Sequence, residues 1–403
     1  LIGLAISEGY LEMTCIQPKS GLTVAHYYVI ETDCGVTPTS PEWLPLRFTS
    51  GNLQQNRDVL VSNELDGGRD TTNVRLGSKQ TSGEISVELS PTSYDDLLEA
   101  ALGGTWVVRL GEAGLSITVS ASGKTFSRAS GDFTTGPTSI VVGDMVKFPS
   151  LTGGNAGTFR ATTVTATVVT CAGIAPGVLA DESSVTTDIK VGDTLSVGSI
   201  RRTMSILSNF PDSDGTADYQ LVTGVEITGF SFDISVNANV TGSLPVIGRE
   251  LTLLGATPPS GSTFGSVITT EVFSALDGRI LQDGVIIGFF SSISITNDNN
   301  QSAQFAIGSE GVSFIEKGRA NNTLSISTFF SSTDLLQKFL DETEVQLTAI
   351  LEGIDGSLMF DFPTVKYTTG SPEIEGPTSI VQNLEAQAIG SIGNSSLIIR
   401  SIV

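Results

Sequence analysis

The sequence predicts an all-β protein in which one strand-then-helix unit occurs twice, and three observations carry that prediction. The 403 residues include 44 glycines and only 16% charged residues, which with abundant Ser, Thr, Val and Ile is the balance of a turn-rich β protein. Short segments alternating apolar and polar residues recur along the chain, as half-buried strands require. The same phrase also appears near residue 90 and near residue 330. In the first copy Ile85, Val87 and Leu89 alternate with polar residues, and Tyr94, Leu97, Leu98, Ala101 and Leu102 then follow the spacing of a helix with one buried face. In the second, Leu324 and Ile326 alternate, and Leu335, Leu336, Phe339 and Leu340 repeat the helical spacing. Hydroxyls before each helix, Thr92-Ser93 and Ser331-Ser332-Thr333, are expected as N-caps, and Gly103-Gly104 as a left-handed stop. A duplicated unit offers two equivalent surfaces to a symmetric assembly.

Element by element, residues 1–26 form an arm with no assigned structure. A first domain occupies 27–112 and resumes at 199–255, where Phe230, Phe232, Ile234 and Val236 alternate with Ser231, Asp233 and Ser235. Between these parts, 113–198 changes to a Thr, Ser, Gly and Val texture with few charges. Its two matching hairpin phrases, IVVGDMVKF and IKVGDTLSV, mark an inserted small β-module, expected on the outside of any assembly and dispensable for it. The Pro/Gly/Ser run at 256–266 reads as a linker, and 267–403 as the second domain, with Asp277-Gly278 and Asp283-Gly284 as tight turns. Residues 60–79 are polar, glycine-bearing and poor in core residues, and a connection of that length is usually functional.

Composition excludes several functions. Lys+Arg 21 against Asp+Glu 43 gives a net charge of -22, the wrong sign for gripping phosphates. The cysteines, Cys15, Cys34 and Cys171, are too few and too widely spaced for a disulfide framework or a zinc site. His26 is the single imidazole and has no nucleophile motif beside it, so a structural role is expected. Asp212, Asp214, Gly215 and Asp218 do not keep calcium-loop spacing and read as an acidic turn, and Asn297 to Asn300 as a loop. No phosphate-binding glycine motif follows a strand, so no cofactor is expected. No stretch approaches a membrane span. Paired carboxylates for glycan hydrolysis lack the aromatic stacking surface sugars use.

The polar residues alternating with the core are the informative ones. Glu84, Ser86 and Glu88, then Ser231, Asp233 and Ser235, then Ser292, Ser294 and Thr296 all face away from apolar neighbours, and they include acids and hydroxyls without Lys or Arg. An ordinary solvated sheet face mixes charge signs.

Three longer passages, YYVIETDCGVTP at 27–38, GSKQTSGEISVELSPTSYDDLLEAALGGTW at 77–106 and YQLVTGVEITGFSFDISVNANVTGSLPVIG at 219–248, resemble the tail tube proteins of long, non-contractile-tailed bacteriophages. SSISITNDNNQSAQFAIGS at 291–309 and EGPTSIVQNLEAQA at 375–388 continue the likeness. The second copy departs from it by lacking the Gly-Gly-Thr-Trp ending. The resemblance implies two β-sandwich/barrel domains, each with a flanking helix, and no reaction. It also implies three chains closing a ring of six quasi-equivalent domains, and rings stacking into a virion tail tube made in the host cytoplasm. The nine acidic and hydroxyl residues would then line the lumen, past which double-stranded DNA moves without specific binding. Asn63, Glu64, Asp66, Arg69, Asp70 and Arg75, in the long connection, would bridge successive rings. A tape measure protein and tail-end or terminator proteins are the implied partners. The alternatives are another phage or surface β-sandwich protein, such as a tail fibre, adhesin or capsid decoration protein, and then a glycan hydrolase.

Overall fold

The computed structural model describes residues 19–62, 64, 70–71, 73–136, 138–174, 177–212, 216–287, 290–374, 376 and 379–403. Two sandwiches of the same construction lie side by side, and the chain is mostly strand, as its alternating patterns require. In the first, a back layer runs Glu42–Leu46, Ala25–Ile30, Met204–Pro211, Ala217–Ile227, Glu250–Gly255, all antiparallel. Its front layer runs Ser50–Val61, Val74–Glu88, Thr241–Gly248, Gly229–Ser235.

The second sandwich repeats both layers strand for strand. Its back layer is Val285–Ile286, Gly278–Gln282, Val345–Glu352, Ser357–Tyr367, Ile398–Ile402, and its front layer Phe290–Asp298, Asn321–Phe329, Val381–Ala388, Pro372–Glu373. One buried apolar cluster runs through both sandwiches, from Ile85 and Phe232 to Phe360 and Leu384.

The two helices have diverged. Asp95–Leu102 buries Leu97, Leu98, Ala100, Ala101 and Leu102, and ends at Gly103, whose φ of 62° lets its N–H donate back to Glu99. Asp334–Leu340 has no buried residue. Leu335 and Phe339 lean on the core while Leu340 is exposed. The first helix takes no hydroxyl cap, whereas at the start of the second Asp334 N–H donates to Ser332 Oγ at 3.3 Å. Thr92 turns the chain at φ 61°, and Ser93 is engaged by Ser90 at 2.7 Å and by Arg47 at 3.3 Å, which leaves Tyr94 at the N-cap position.

Residues within 112–191 form a closed barrel in the order Glu182–Val191, Glu112–Ser120, Thr125–Arg128, Val168–Ala172, Thr158–Val164, Met145–Lys147. The two matching phrases close it, Val146 pairing with Val191. It has its own core, in which Phe126 stacks on Phe148 at 4.6 Å. Asp193–Ser196, which the sequence reading set inside the module, instead extends the second back layer by pairing with Ile398–Ile402. The barrel interrupts the first sandwich in sequence but docks on the second. Met145 packs with Leu281, Ile350, Met359 and Ile402, and buried Arg160 meets buried Asp361 at 3.3 Å.

Other sequence expectations change in detail. Residues 60–61 and 74–79 are strand, not loop, because the Ser50–Val61 and Val74–Glu88 ribbon continues to Val61 opposite Val74. Asn297 and Asp298 end a strand, and Asn297 is buried with its side chain bonded to Asn322 at 2.8 Å. Thr263–Phe264, in the predicted linker, pairs with Glu42–Leu46. His26 is buried, its ring 4.3 Å from that of Phe48 and its Nδ1 2.8 Å from Ser208 Oγ. Burial lowers its pKa to about 4.

Candidate functional site

The two front layers are one sheet. Gly229–Ser235, the last strand of the first, pairs along its whole length with Phe290–Asp298, the first strand of the second, from Gly229 opposite Asp298 to Ser235 opposite Ser292. Directly paired residues point to the same side, so the sequence alternation becomes rows across the joined sheet. One row reads Ser50, Ser86, Ser243, Ser231, Thr296, Thr323, Gln387. The next reads Glu88, Thr241, Asp233, Ser294, Ser325, Glu385, and a third Ser235, Ser292, Ser327, Asn383. The interleaved rows carry Ile85, Phe232, Ile295, Leu324 and Ala386, all buried. The seam between the repeats is as regular as the pairing within them.

All nine sequence-predicted face residues, Glu84, Ser86, Glu88, Ser231, Asp233, Ser235, Ser292, Ser294 and Thr296, lie on this single face. Beyond Ser292, Ser294 and Thr296, the second repeat adds acids that its sequence pattern did not mark. Asp298 and Glu385 share the rows, and Glu373 joins them through a 3.4 Å bond from Asn383. Their signal was faint because Val381–Ala388 alternates Asn383, Glu385 and Gln387 with a core of only Gln382, Leu384, Ala386 and Ala388. The rows hold no Lys or Arg until Lys366, opposite Gln387 at the margin and 3.7 Å from Glu344. Short hydroxyl and amide side chains tie the face together. Ser325 donates to Glu385 at 2.7 Å, Asn239 to Glu88 at 3.2 Å, and Ser231 and Thr296 bond across the seam at 3.2 Å.

The face is broad and acidic, and its rows of hydroxyls and carboxylates run across both repeats. Among the described residues no group of three or more His, Cys, Asp or Glu is placed to hold a metal, and no helix is long and apolar enough to cross a membrane. The phage tail tube protein family matches residues 21–388. The chain belongs to that family. It is therefore a structural component of a bacteriophage tail, of a kind that assembles into a tube and is not generally enzymatic. A search of curated proteins gives no match.

For a tail tube protein, the predicted loop residues divide. Asn63, Asp66 and Arg69 lie outside the described residues, whereas Glu64 and Asp70 are exposed. Arg75 lies on the extended ribbon, opposite Leu60.

Proposed function

We propose that three copies of this chain close into a ring whose inner wall is the joined front sheet, and that rings stack into the DNA channel of a siphophage-type tail. The observation that carries this reading is the seam. Gly229–Ser235 and Phe290–Asp298 are edge strands of equivalent sheets, and they pair. The edges left over are Ser50–Val61, the counterpart of Phe290–Asp298, and Pro372–Glu373, the counterpart of Gly229–Ser235. Repeating the seam between chains joins those two edges and continues the sheet around a closed ring, which also removes its unpaired edges.

The polar face is then the lumen, and the buried rows its support. Glu84, Glu88, Asp233, Asp298, Glu373 and Glu385 repel phosphates, and the short hydroxyl side chains between them carry no positive charge to hold DNA. Salt screens such charges beyond ~8 Å, so repulsion acts where a duplex comes close to the wall. The tape measure protein would occupy the same lumen before ejection, and terminator proteins would close its ends. Electron microscopy of the purified protein tests the reading. Rings or tubes of three chains with pseudo-sixfold lining support it, and a persistent monomer or a ring of six chains refutes it.

A further inference from the structure

From its length and polarity, the long connection of the first repeat is expected to bridge successive rings. We propose instead that the ribbon formed by residues 55–61 and 74–81 clasps the second repeat of a neighbouring copy within the same ring, an inference that rests on the ring assembly above.

The chain contains its own precedent. The ribbon joins Ser50–Val61 to Val74–Glu88, so its counterpart in the second repeat is the 299–320 connection between Phe290–Asp298 and Asn321–Phe329. That counterpart lies sideways across the first repeat. Lys79 N–H donates to Glu310 O at 2.6 Å, Arg249 donates to Val312 O at 3.2 Å and Ser313 O at 2.6 Å, and Lys317 donates to Ile200 O at 3.1 Å. Its apolar residues Val312 and Ile315 are buried.

Beyond Arg57 and Lys79, which that counterpart's Glu310 engages, the first repeat's ribbon has no such cover among the described residues. Val59, Leu60, Val61, Val74 and Leu76 are 59%, 58%, 49%, 56% and 62% exposed. A two-stranded ribbon bearing that much apolar surface is marginal in water by itself. Among the described residues no further repeat lies on that side for it to cross; in a ring, the second repeat of the next copy stands there.

The receiving surface is identified by the same correspondence. Arg249, which holds the counterpart, lies between Thr241–Gly248 and Glu250–Gly255. The equivalent connection of the second repeat is 389–397, between Val381–Ala388 and Ile398–Ile402. It presents a fully exposed Ile392 beside a cleft of about 410 Å³ lined by Ser391, Asn394, Ser395 and Ser396. A β-ribbon with exposed apolar residues needs an apolar contact, and Ile392 is the one this connection offers.

Cross-linking separates a clasp within a ring from a bridge between rings. Leu60→Cys and Ile392→Cys are introduced together, with Cys15 and Cys34 changed to Ser, and assembled protein is treated with a short bis-maleimide. A clasp within a three-chain ring yields covalent dimers and trimers and stops there, because the third link closes the circle. A ladder extending past trimer places the ribbon between rings and overturns the proposal. So does intact ring formation with no cross-link, a result that leaves the ring reading standing. If micrographs of the untreated protein show no rings, the ring reading fails first and the clasp with it. As a second measurement, Leu60→Asp and Ile392→Asp should each preserve the monomer's thermal transition while abolishing rings, and normal rings from either variant would refute the clasp.

Discussion

Asp233 stands directly opposite Ser294 across the seam between the two repeats, so a carboxylate from one copy of the ancestral unit and a hydroxyl from the other share one row of one face. Six strands of the joined sheet carry that row, from Glu88 to Glu385. Changing Glu84, Glu88 and Asp233 together to Lys should leave the fold intact, since each side chain points away from the buried row of Ile85, Val87 and Phe232. Assembled tubes should then retain double-stranded DNA, with a grip that falls steeply as salt rises. Virions carrying the change should eject DNA slowly, and unchanged ejection kinetics would show that this face is not the lumen.

The seam itself depends on a glycine. A Cβ on Gly229 would lie 2.1 Å from the carbonyl oxygen of Asn297 in the opposing strand, so Gly229→Ala must push the two repeats apart. The expected loss is about 1–3 kcal/mol, as for other overpacked sites. Urea denaturation measures it against Gly21→Ala, where the added carbon meets nothing within 4 Å and the effect should be negligible.

Asp361 lies buried between Arg160 of the barrel and Arg400 of the second back layer, 3.3 Å from each, and accepts from Thr348 at 2.7 Å. Asp361→Asn strands the buried guanidinium of Arg160 and leaves Arg400 only Asp144 at 3.7 Å, and should cost about 3–5 kcal/mol. Replacing Arg160, Asp361 and Arg400 together with Met, Leu and Met should cost far less, because Asp144 keeps Arg109 at 2.9 Å. The same contacts revise the expectation that the inserted module is dispensable. Excising 113–198 bares Asp361 and Arg400 and removes Asp193–Ser196 from the edge of Ile398–Ile402, so the shortened chain should melt well below the parent.

One buried and one half-buried group titrate with opposite effects. His26 has its pKa lowered from 6.5 to about 4 by burial. The unfolded chain therefore binds the extra proton between those values, and this group's contribution to stability falls by about 3 kcal/mol as pH drops through the window. Asp95 has its pKa raised from 3.8 to about 6 by burial first, then by Asp96, Asp193 and Glu99. Here the folded chain binds the proton, so stability rises by about 3 kcal/mol as pH falls from 6 to 4. Relative to the parent, Asp95→Asn should raise the melting temperature at pH 7 and lose that gain by pH 4. His26→Gln should show its relative gain at pH 4 and not at pH 7. Melting curves at the two pH values check both.

Local pattern in the sequence determined the all-β class, the duplication, the first helix with its stop at Gly103, and the side of each strand that faces water. Those properties follow from alternation and helical spacing, which act between near neighbours. Only the tertiary structure decided that nine polar residues from three separated segments form one face, because that depends on Gly229–Ser235 pairing with Phe290–Asp298 in one register. It also decided that the barrel, encoded within the first repeat, is held by the second. Register between distant strands is set by backbone hydrogen bonds and by shared burial of Phe232 and Ile295, and neither leaves a mark on the residues next to them in the chain.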